Sequence, residues 1–375
     1  MISVDMASVF KYSSKDFVSH IPPEAESREE RSTFDKELLS RWDEAAEKGF
    51  FRYLLGNLPT RVIEGSHGFV AQLNVKRATD RRVPQEIKST KQPFKPQEFN
   101  FNKVKPHEIL MELSHEGSDP TSLQNGISHE ANGTHTEGGQ CTNNDRVEKV
   151  QVIINISPLE YGNVLLVPRP ELCQPQIATL EMIQIGVETL LLSSSRSYRI
   201  GYNSLCAFAS VNHLHMHAYY VDHRLPIEYM HTREVIANRF HETVDWSAQS
   251  FMLGLTKKNY KSVIRDLFAM VKLLQDKDIA HNMFFSRGLT LGPNPEEDGQ
   301  TVRLLLWPRL SSYGVKASDA FNGACCELGG HLPVKREERF NNLTEKECCE
   351  LLQSDSLPGE EYERLKADMK SILQQ

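Results

Sequence analysis

A chain of 375 residues with 43 lysines and arginines against 50 aspartates and glutamates carries a formal charge of −7, which argues against a binder of long nucleic acid polymers. No segment has the 18 or more apolar residues of a membrane span, and the start Met1-Ile2-Ser3-Val4-Asp5 lacks the basic and apolar regions of a signal peptide. Seven cysteines without any Cys-x-x-Cys point to reduced thiols and a cytoplasmic protein, not to a zinc ribbon or a disulfide framework.

Residues 1–33 are polar and mixed, with Pro22-Pro23 and a charged run over 24–31, which predicts a poorly ordered lead-in. Phe34, Leu38, Leu39, Trp42 and Ala45 mark one stripe of a helix over 34–50. The turn Gly56-Asn57-Leu58-Pro59 is followed by an alternating strand over 68–74. Residues 114–148 hold few large apolar side chains and predict a disordered insertion, with His115, His129 and His135 as solvated loop histidines. A β-branched strand over 150–156 returns, after a short link, as a second strand over 163–167, so the two form an antiparallel pair. After Pro175 a helix is marked by Ile177, Leu180, Ile183, Val187, Leu190 and Leu191. A strand over 198–202 and a polar loop over 203–212 lead into the histidine-rich stretch. Beyond it, Val263, Leu267, Val271 and Leu274 mark another helix, and strands are expected at 283–286 and 302–307. Thr344 and Glu347 form a capping box opening a helix, and 354–375 is expected to be a helical tail.

In 213–217, His213, His215 and His217 alternate with Leu214 and Met216. On a strand all three imidazoles would share one face, roughly 6.5–7 Å apart, with Leu214 and Met216 on the other. Three uses fit such a row: a metal platform, partly buried structural histidines, or attack on phosphorus by a neutral imidazole. An attacking ring must keep its second nitrogen protonated and bonded to an acceptor such as a backbone carbonyl. Asn203, Ser204, Ser210 and Asn212 in the preceding loop could donate to phosphate oxygens.

Taken with its flanks, this stretch resembles the histidine-triad superfamily, whose members bind nucleotides and attack the α-phosphorus with the middle histidine, here His215. Asn155-Ile156-Ser157-Pro158, Gly162-Asn163 and Val164-Leu165-Leu166-Val167-Pro168 match that superfamily's earlier signature. Longer strings are similar to the GDP-hexose phosphorylases of animals and plants. They include Arg199-Ile200-Gly201-Tyr202-Asn203-Ser204-Leu205, Ala209-Ser210-Val211-Asn212-His213-Leu214-His215, Phe99-Asn100-Phe101-Asn102-Lys103 and Gly330-His331-Leu332-Pro333-Val334-Lys335.

The resemblance implies an α+β fold: a histidine-triad-like antiparallel sheet with helices packed on one side, either one such unit or two fused triad-type halves. It implies a catalytic region over 34–353 and one active site per chain, because the second half has no His-x-His. Its substrates would be a GDP-hexose and inorganic phosphate, with no cofactor, no metal, no nucleic acid polymer and no membrane. His215 would be the nucleophile, His217 would act near the bridging oxygen, and His213 would organise the strand. Asn203 and Ser210 would hold α-phosphate oxygens, Asn212 would be a further substrate contact, and Asn155 would either contact the nucleoside or make a strand-end hydrogen bond. His217 stands where the plant enzymes carry Gln, which favours the animal-type glucose enzyme. It also keeps hydrolysis to GMP as a rival, beside a nucleotide- or metal-binding protein without turnover. Cys206 stands where a glycine is expected. Lys76, Arg77, Arg81 and Arg82 are either a solvated cluster or phosphate contacts, Arg287 is a candidate anion contact, and His281 and His331 have no assigned chemistry.

Overall fold

The computed structural model describes residues 8–21, 30–116, 149–296, 300–313 and 320–375. The chain opens with β1 (Ser8–Tyr12) and α1 (Thr33–Glu47), then β2 (Thr60–Val62), β3 (Val70–Leu73) and the short α2 (Val75–Thr79). A first unit follows: β4 (Ile109–His115), β5 (Lys149–Ile154), β6 (Val164–Pro168), α3 (Leu180–Leu192), β7 (Tyr198–Asn203) and β8 (Met216–Tyr220). A second unit is β9 (Thr232–Ile236), β10 (Phe240–Thr243), β11 (Phe251–Leu255), α4 (Tyr260–Asp276), β12 (Ala280–Arg287) and β13 (Val302–Arg309). The chain closes with α5 (Cys325–Leu328), β14 (His331–Val334), α6 (Glu337–Asn342), α7 (Glu345–Gln353) and α8 (Gly359–Leu373).

Each unit runs strand-strand-strand-helix-strand-strand. In each, the fifth strand inserts beside the third, giving the orders β4-β5-β6-β8-β7 and β9-β10-β11-β13-β12. The two fourth strands, β7 and β12, pair antiparallel, with Asn203 opposite Asn282 and Ile200 opposite Phe285. That pairing joins both units into one eleven-stranded sheet, to which β1 adds in parallel beside β4. Of the two expected arrangements, the fused pair of halves is the one found. A separate small sheet holds β14, β3 and β2, with His331 opposite Val70.

Side chains alternate across the sheet, and the two largest cores lie on its opposite faces. Met216, Ala218 and Tyr220 point into the larger core with the apolar faces of α1, α3, α4 and α8. Tyr219 points the other way, into a core with Phe284, Leu305, Trp307, the small sheet and α5–α7. The expectation of helices on one side only is therefore corrected. Both faces are covered because the central strands are apolar in both registers: β13 buries all eight of its residues. Each fully buried large aliphatic side chain contributes about 1.5–3 kcal/mol, so the two-sided strands anchor the fold. Local signals agree at the helices. The Ser32 hydroxyl accepts from the Asp35 N–H at 3.1 Å at the start of α1, whose predicted stripe is buried throughout, and the Thr344–Glu347 capping box opens α7 as predicted.

Three boundaries move. The predicted lead-in contains β1, and Phe17 and Ile21 beyond it are buried; the neighbouring charged run hides an apolar segment that completes the sheet edge. The predicted insertion begins later, because Ser114 and His115 finish β4, and His115 packs its ring edge-on to Tyr12 at 5.1 Å instead of being solvated. Residues 117–148, with His129 and His135, lie outside the described residues. The helical tail is part of the core, burying Tyr362, Leu365, Met369 and Leu373 through α8. Among the described residues no helix is long and apolar enough to cross a membrane.

Candidate active site

Only His217 of the three histidines lies within β8; His213 and His215 precede it in the approach to the strand. The chain bends at 211–213, and the His215 and His217 rings are 5.2 Å apart by centroid. Leu214 and Met216 enter the opposite core as expected.

The three rings have distinct bonding. His213 accepts the Phe101 N–H on Nδ1 at 2.9 Å and also bonds to the Pro170 backbone. The His213 carbonyl lies 2.7 Å from His215 Nδ1. A carbonyl can only accept, so the His215 ring proton sits on Nδ1 and the Nε2 lone pair is free. Burial lowers the His213 and His215 pKa values to about 4, and it holds His217 well below the ordinary value. All three imidazoles are neutral near pH 7.

Two residues that sequence reasoning missed hold this geometry. Gln176 donates through Nε2 to the carbonyls of Asn203 and His215, both at 3.0 Å, and accepts the His215 N–H on Oε1 at 2.8 Å. Phe101 places its ring edge-on to His215 at 5.0 Å while its N–H fixes His213. Gln176 stands 39 positions from His215, and no local pattern links the two. The Phe99–Lys103 string did carry a signal, but as a resemblance without an assigned role.

A cavity opens beside His217 on the face of the sheet that holds Tyr219. Asn203, Ser210, Arg77, Arg81 and Lys335 line it with His217. Asn203 accepts on Oδ1 from Asn282 Nδ2 at 2.7 Å and from the Cys325 N–H at 2.9 Å, which leaves its amide nitrogen as the group it can offer. Asn212 is turned elsewhere: it accepts from the Gln176 N–H at 2.9 Å and donates to the carbonyls of Gln92 and Pro93, both at 3.0 Å. Asn155 is likewise engaged at its strand end, with Asn163 at 3.0 Å and Ser157 at 3.2 Å. The structure thus brings His217, Asn203 and Ser210 to one cavity and uses Asn212 and Asn155 to shape the loops around it.

The basic cluster divides. Arg77 and Arg81 line the cavity, Arg82 lies over the Phe99 ring, and Lys76 is exposed. Arg77 is held at the start of α2, where its N–H bonds to Asn74 at 3.1 Å and its guanidinium to the Ser157 carbonyl at 2.6 Å. Lys335 arrives from the end of β14, and Glu327 of α5 also lines the cavity, its carboxyl pKa raised by burial. Arg287 is buried away from the cavity, donating to the carbonyls of Val18 and Ser193, so the anion-contact expectation for it is corrected. His331 packs in β14 and meets Gln72 at 3.0 Å.

Two glycine positions set the loop geometry. Cys206, where a glycine was expected, has φ +61°, the left-handed conformation that a glycine adopts freely. A Cβ on Gly201 would stand 2.6 Å from Cys325 Sγ, so the missing side chain lets α5 seat on β7 at the cavity wall. Among the described residues, no group of three or more His, Cys, Asp or Glu is disposed to hold a metal.

The site thus sits on two fused α+β units joined in one sheet, with a row of neutral histidines entering the fifth strand of the first. Yeast Ap4A phosphorylase Apa2 in complex with Ap4A has a similar fold, with a TM-score of 0.55 over 87% of this chain and 98% of that one, at 12% identity. Family models described as the GDPGP1-like N-terminal and C-terminal domains match residues 33–219 and 222–375, dividing the chain between the two units. Proteins named GDP-D-glucose phosphorylase 1 from Danio rerio and Homo sapiens are each 40% identical, over 98% and 92% of this chain and 99% and 85% of their own lengths. The Arabidopsis thaliana GDP-L-galactose phosphorylase 2 is 29% identical over 90% of this chain and 76% of its own. The chain belongs to the GDPGP1-like family.

Proposed function

We propose that this protein catalyses the phosphorolysis of GDP-D-glucose by inorganic phosphate, giving GDP and glucose 1-phosphate through a guanylyl-histidine intermediate. The observation that carries this reading is the 2.7 Å contact between His215 Nδ1 and the His213 carbonyl, which leaves a neutral ring with a free lone pair on Nε2. Kinship with the GDP-D-glucose phosphorylases supports the substrate.

Nε2 of His215 attacks the α-phosphorus. The Nε2–P bond forms, and the bond from phosphorus to the bridging oxygen breaks with its electron pair going to glucose 1-phosphate. The adduct ring is then an N-phosphorylated imidazolium, and its Nδ1–H stays on the His213 carbonyl, which stabilises the positive charge. An oxygen of inorganic phosphate attacks the same phosphorus, Nε2 regains its pair, and GDP leaves. His217 stands beside this path and bonds near the bridging oxygen. The Asn203 amide and the Ser210 hydroxyl hold α-phosphate oxygens. Arg77, Arg81 and Lys335 supply the positive field for the phosphate that departs and then for the one that enters. Buried and half-buried free thiols suit a reducing compartment such as the cytoplasm.

A second reading, hydrolysis to GMP, is favoured by one observation: His217, a third histidine, faces the cavity. GDP-glucose supplied with and without inorganic phosphate separates the two. GDP formed only with phosphate is the expected result; GMP formed without it would establish the hydrolase instead.

A further inference from the structure

The cavity has a lining of two kinds. One set is charged: Arg77, Arg81, Lys335 and Glu327. The other is neutral and includes Ser312 and Asn322, from the segment after β13, beside the turn at Cys206. Ser312 is fixed by its N–H bond to the Cys206 carbonyl at 2.8 Å.

The neutral set is chemically unfinished. Ser312 is 7% exposed, yet its hydroxyl has no hydrogen-bond partner among the described residues, and neither has the buried Oδ1 of Asn322. Below them a polar row crosses the sheet: Asn203 on β7, Asn282 on β12 and Trp307 on β13, in direct register. Asn282 gives its amide nitrogen to Asn203 and to the Ala207 carbonyl at 2.8 Å. Its Oδ1 and the Trp307 Nε1 are again buried and without a partner among the described residues. Leaving a buried polar group unmet is unfavourable. Of these, Ser312 and Asn322 line the cavity, and a hydroxyl that both donates and accepts beside an amide acceptor is complementary to a ligand rich in hydroxyls and without charge.

We infer that Ser312 and Asn322 form the hexose subsite, hydrogen-bonding ring hydroxyls of the sugar while the charged set takes the phosphate attached to it. The assignment rests on the phosphorolysis reading for which sugar phosphate is bound, and it adds which residues read the sugar. Glucose 1-phosphate and inorganic phosphate share the charged set, so only the sugar-bearing ligand uses the neutral one.

Calorimetric titration of the full chain with glucose 1-phosphate and with inorganic phosphate tests this without turnover. The wild type is expected to bind glucose 1-phosphate about tenfold more tightly than inorganic phosphate. Ser312→Ala and Asn322→Ala each reduce that preference at least threefold and leave the affinity for inorganic phosphate within twofold. Melting temperatures confirm that each variant folds. Equal binding of the two ligands by the wild type, or variants that keep the full preference, would overturn the assignment and leave the neutral set to bound water. The phosphorolysis reading fails separately, if intact glucose 1-phosphate binding is accompanied by no phosphate-dependent release of GDP from GDP-glucose.

Discussion

The side-chain amide of Gln176 satisfies both main-chain groups of His215, accepting its N–H at 2.8 Å and donating to its carbonyl at 3.0 Å. A single planar group thereby fixes the backbone at the attacking residue, and the same Nε2 reaches the Asn203 carbonyl at 3.0 Å. Gln176→Ala leaves a buried N–H and two carbonyls unmet, so it should lower stability by about 1–3 kcal/mol. It should lower kcat about tenfold or more with little change in the KM for phosphate. Gln176→Glu keeps the acceptor but turns a carboxylate oxygen toward two carbonyls, and should be worse than alanine in denaturant unfolding.

His215→Gly should abolish phosphorolysis by at least about a thousandfold, because the covalent route is lost. Added imidazole should restore part of the rate in the His215→Gly protein and none in wild type. Labelled guanine nucleotide should form an acid-labile adduct with wild type and not with the variant. An unchanged rate in His215→Asn would remove the nucleophile assignment.

The buried histidines make stability depend on acid. In the unfolded chain they take up protons near pH 6.5, whereas burial delays this to about 4 for His213, His215 and His281 and about 3 for His331. Between these limits the unfolded state binds more protons. Their contribution is therefore complete above pH 6.5 and is lost as the pH falls toward 4, at up to about 1.4 kcal/mol per pH unit for each histidine. Urea midpoints should fall steeply from pH 6.5 to 5. Over the same range kcat/KM should stay flat while the protein remains folded, since His215 is still neutral.

Gly201→Ala should cost about 1–3 kcal/mol, because the new Cβ meets Cys325 Sγ at 2.6 Å and α5 must lift from β7. Removing the sulfur in Gly201→Ala/Cys325→Ala should recover part of that loss. A double-mutant cycle by thermal unfolding measures the coupling, and strict additivity would exclude the contact as its cause.

Lys335→Met should raise the KM for phosphate about tenfold with a smaller effect on kcat, if the charged lining holds the entering phosphate. An equal loss in both constants would point instead to the transition state at the α-phosphorus.

The parts of the fold that were legible in the sequence are those with local periodicity. Phe34, Leu38, Leu39, Trp42 and Ala45 carry α1, and the apolar strands on either side of Gly162 carry the β5–β6 pair. What escaped was set by contacts far apart in the chain. Strands β9–β11 are short, and β9 is partly polar over Thr232–Ile236; they gain their order in sequence, β11 pairing with β13, β10 with β11 and β9 with β10. β1 is legible only once β4 is beside it. At the site, the alternation of 213–217 and the polar loop before it directed attention to His217, Asn203 and Ser210. Gln176, Ser312 and Asn322 could not be found that way, because an isolated Gln, Ser or Asn carries no pattern. Asn155 and Asn212 illustrate the converse: a polar residue in a signature string also bonds the chain around it, Asn155 at its own strand end and Asn212 to Gln176, Gln92 and Pro93.

Because β7 and β12 join the two units within one sheet, the chain acts as a dimer whose partners can no longer exchange. In a symmetric pair, any change to the wall facing the histidines would recur in both partners and touch both sites. Here the two units differ, and the stretch after β13 can change without touching the bonds that hold His215. If Ser312 and Asn322 read the sugar, relatives with different sugars are expected to differ most in the stretch after β13.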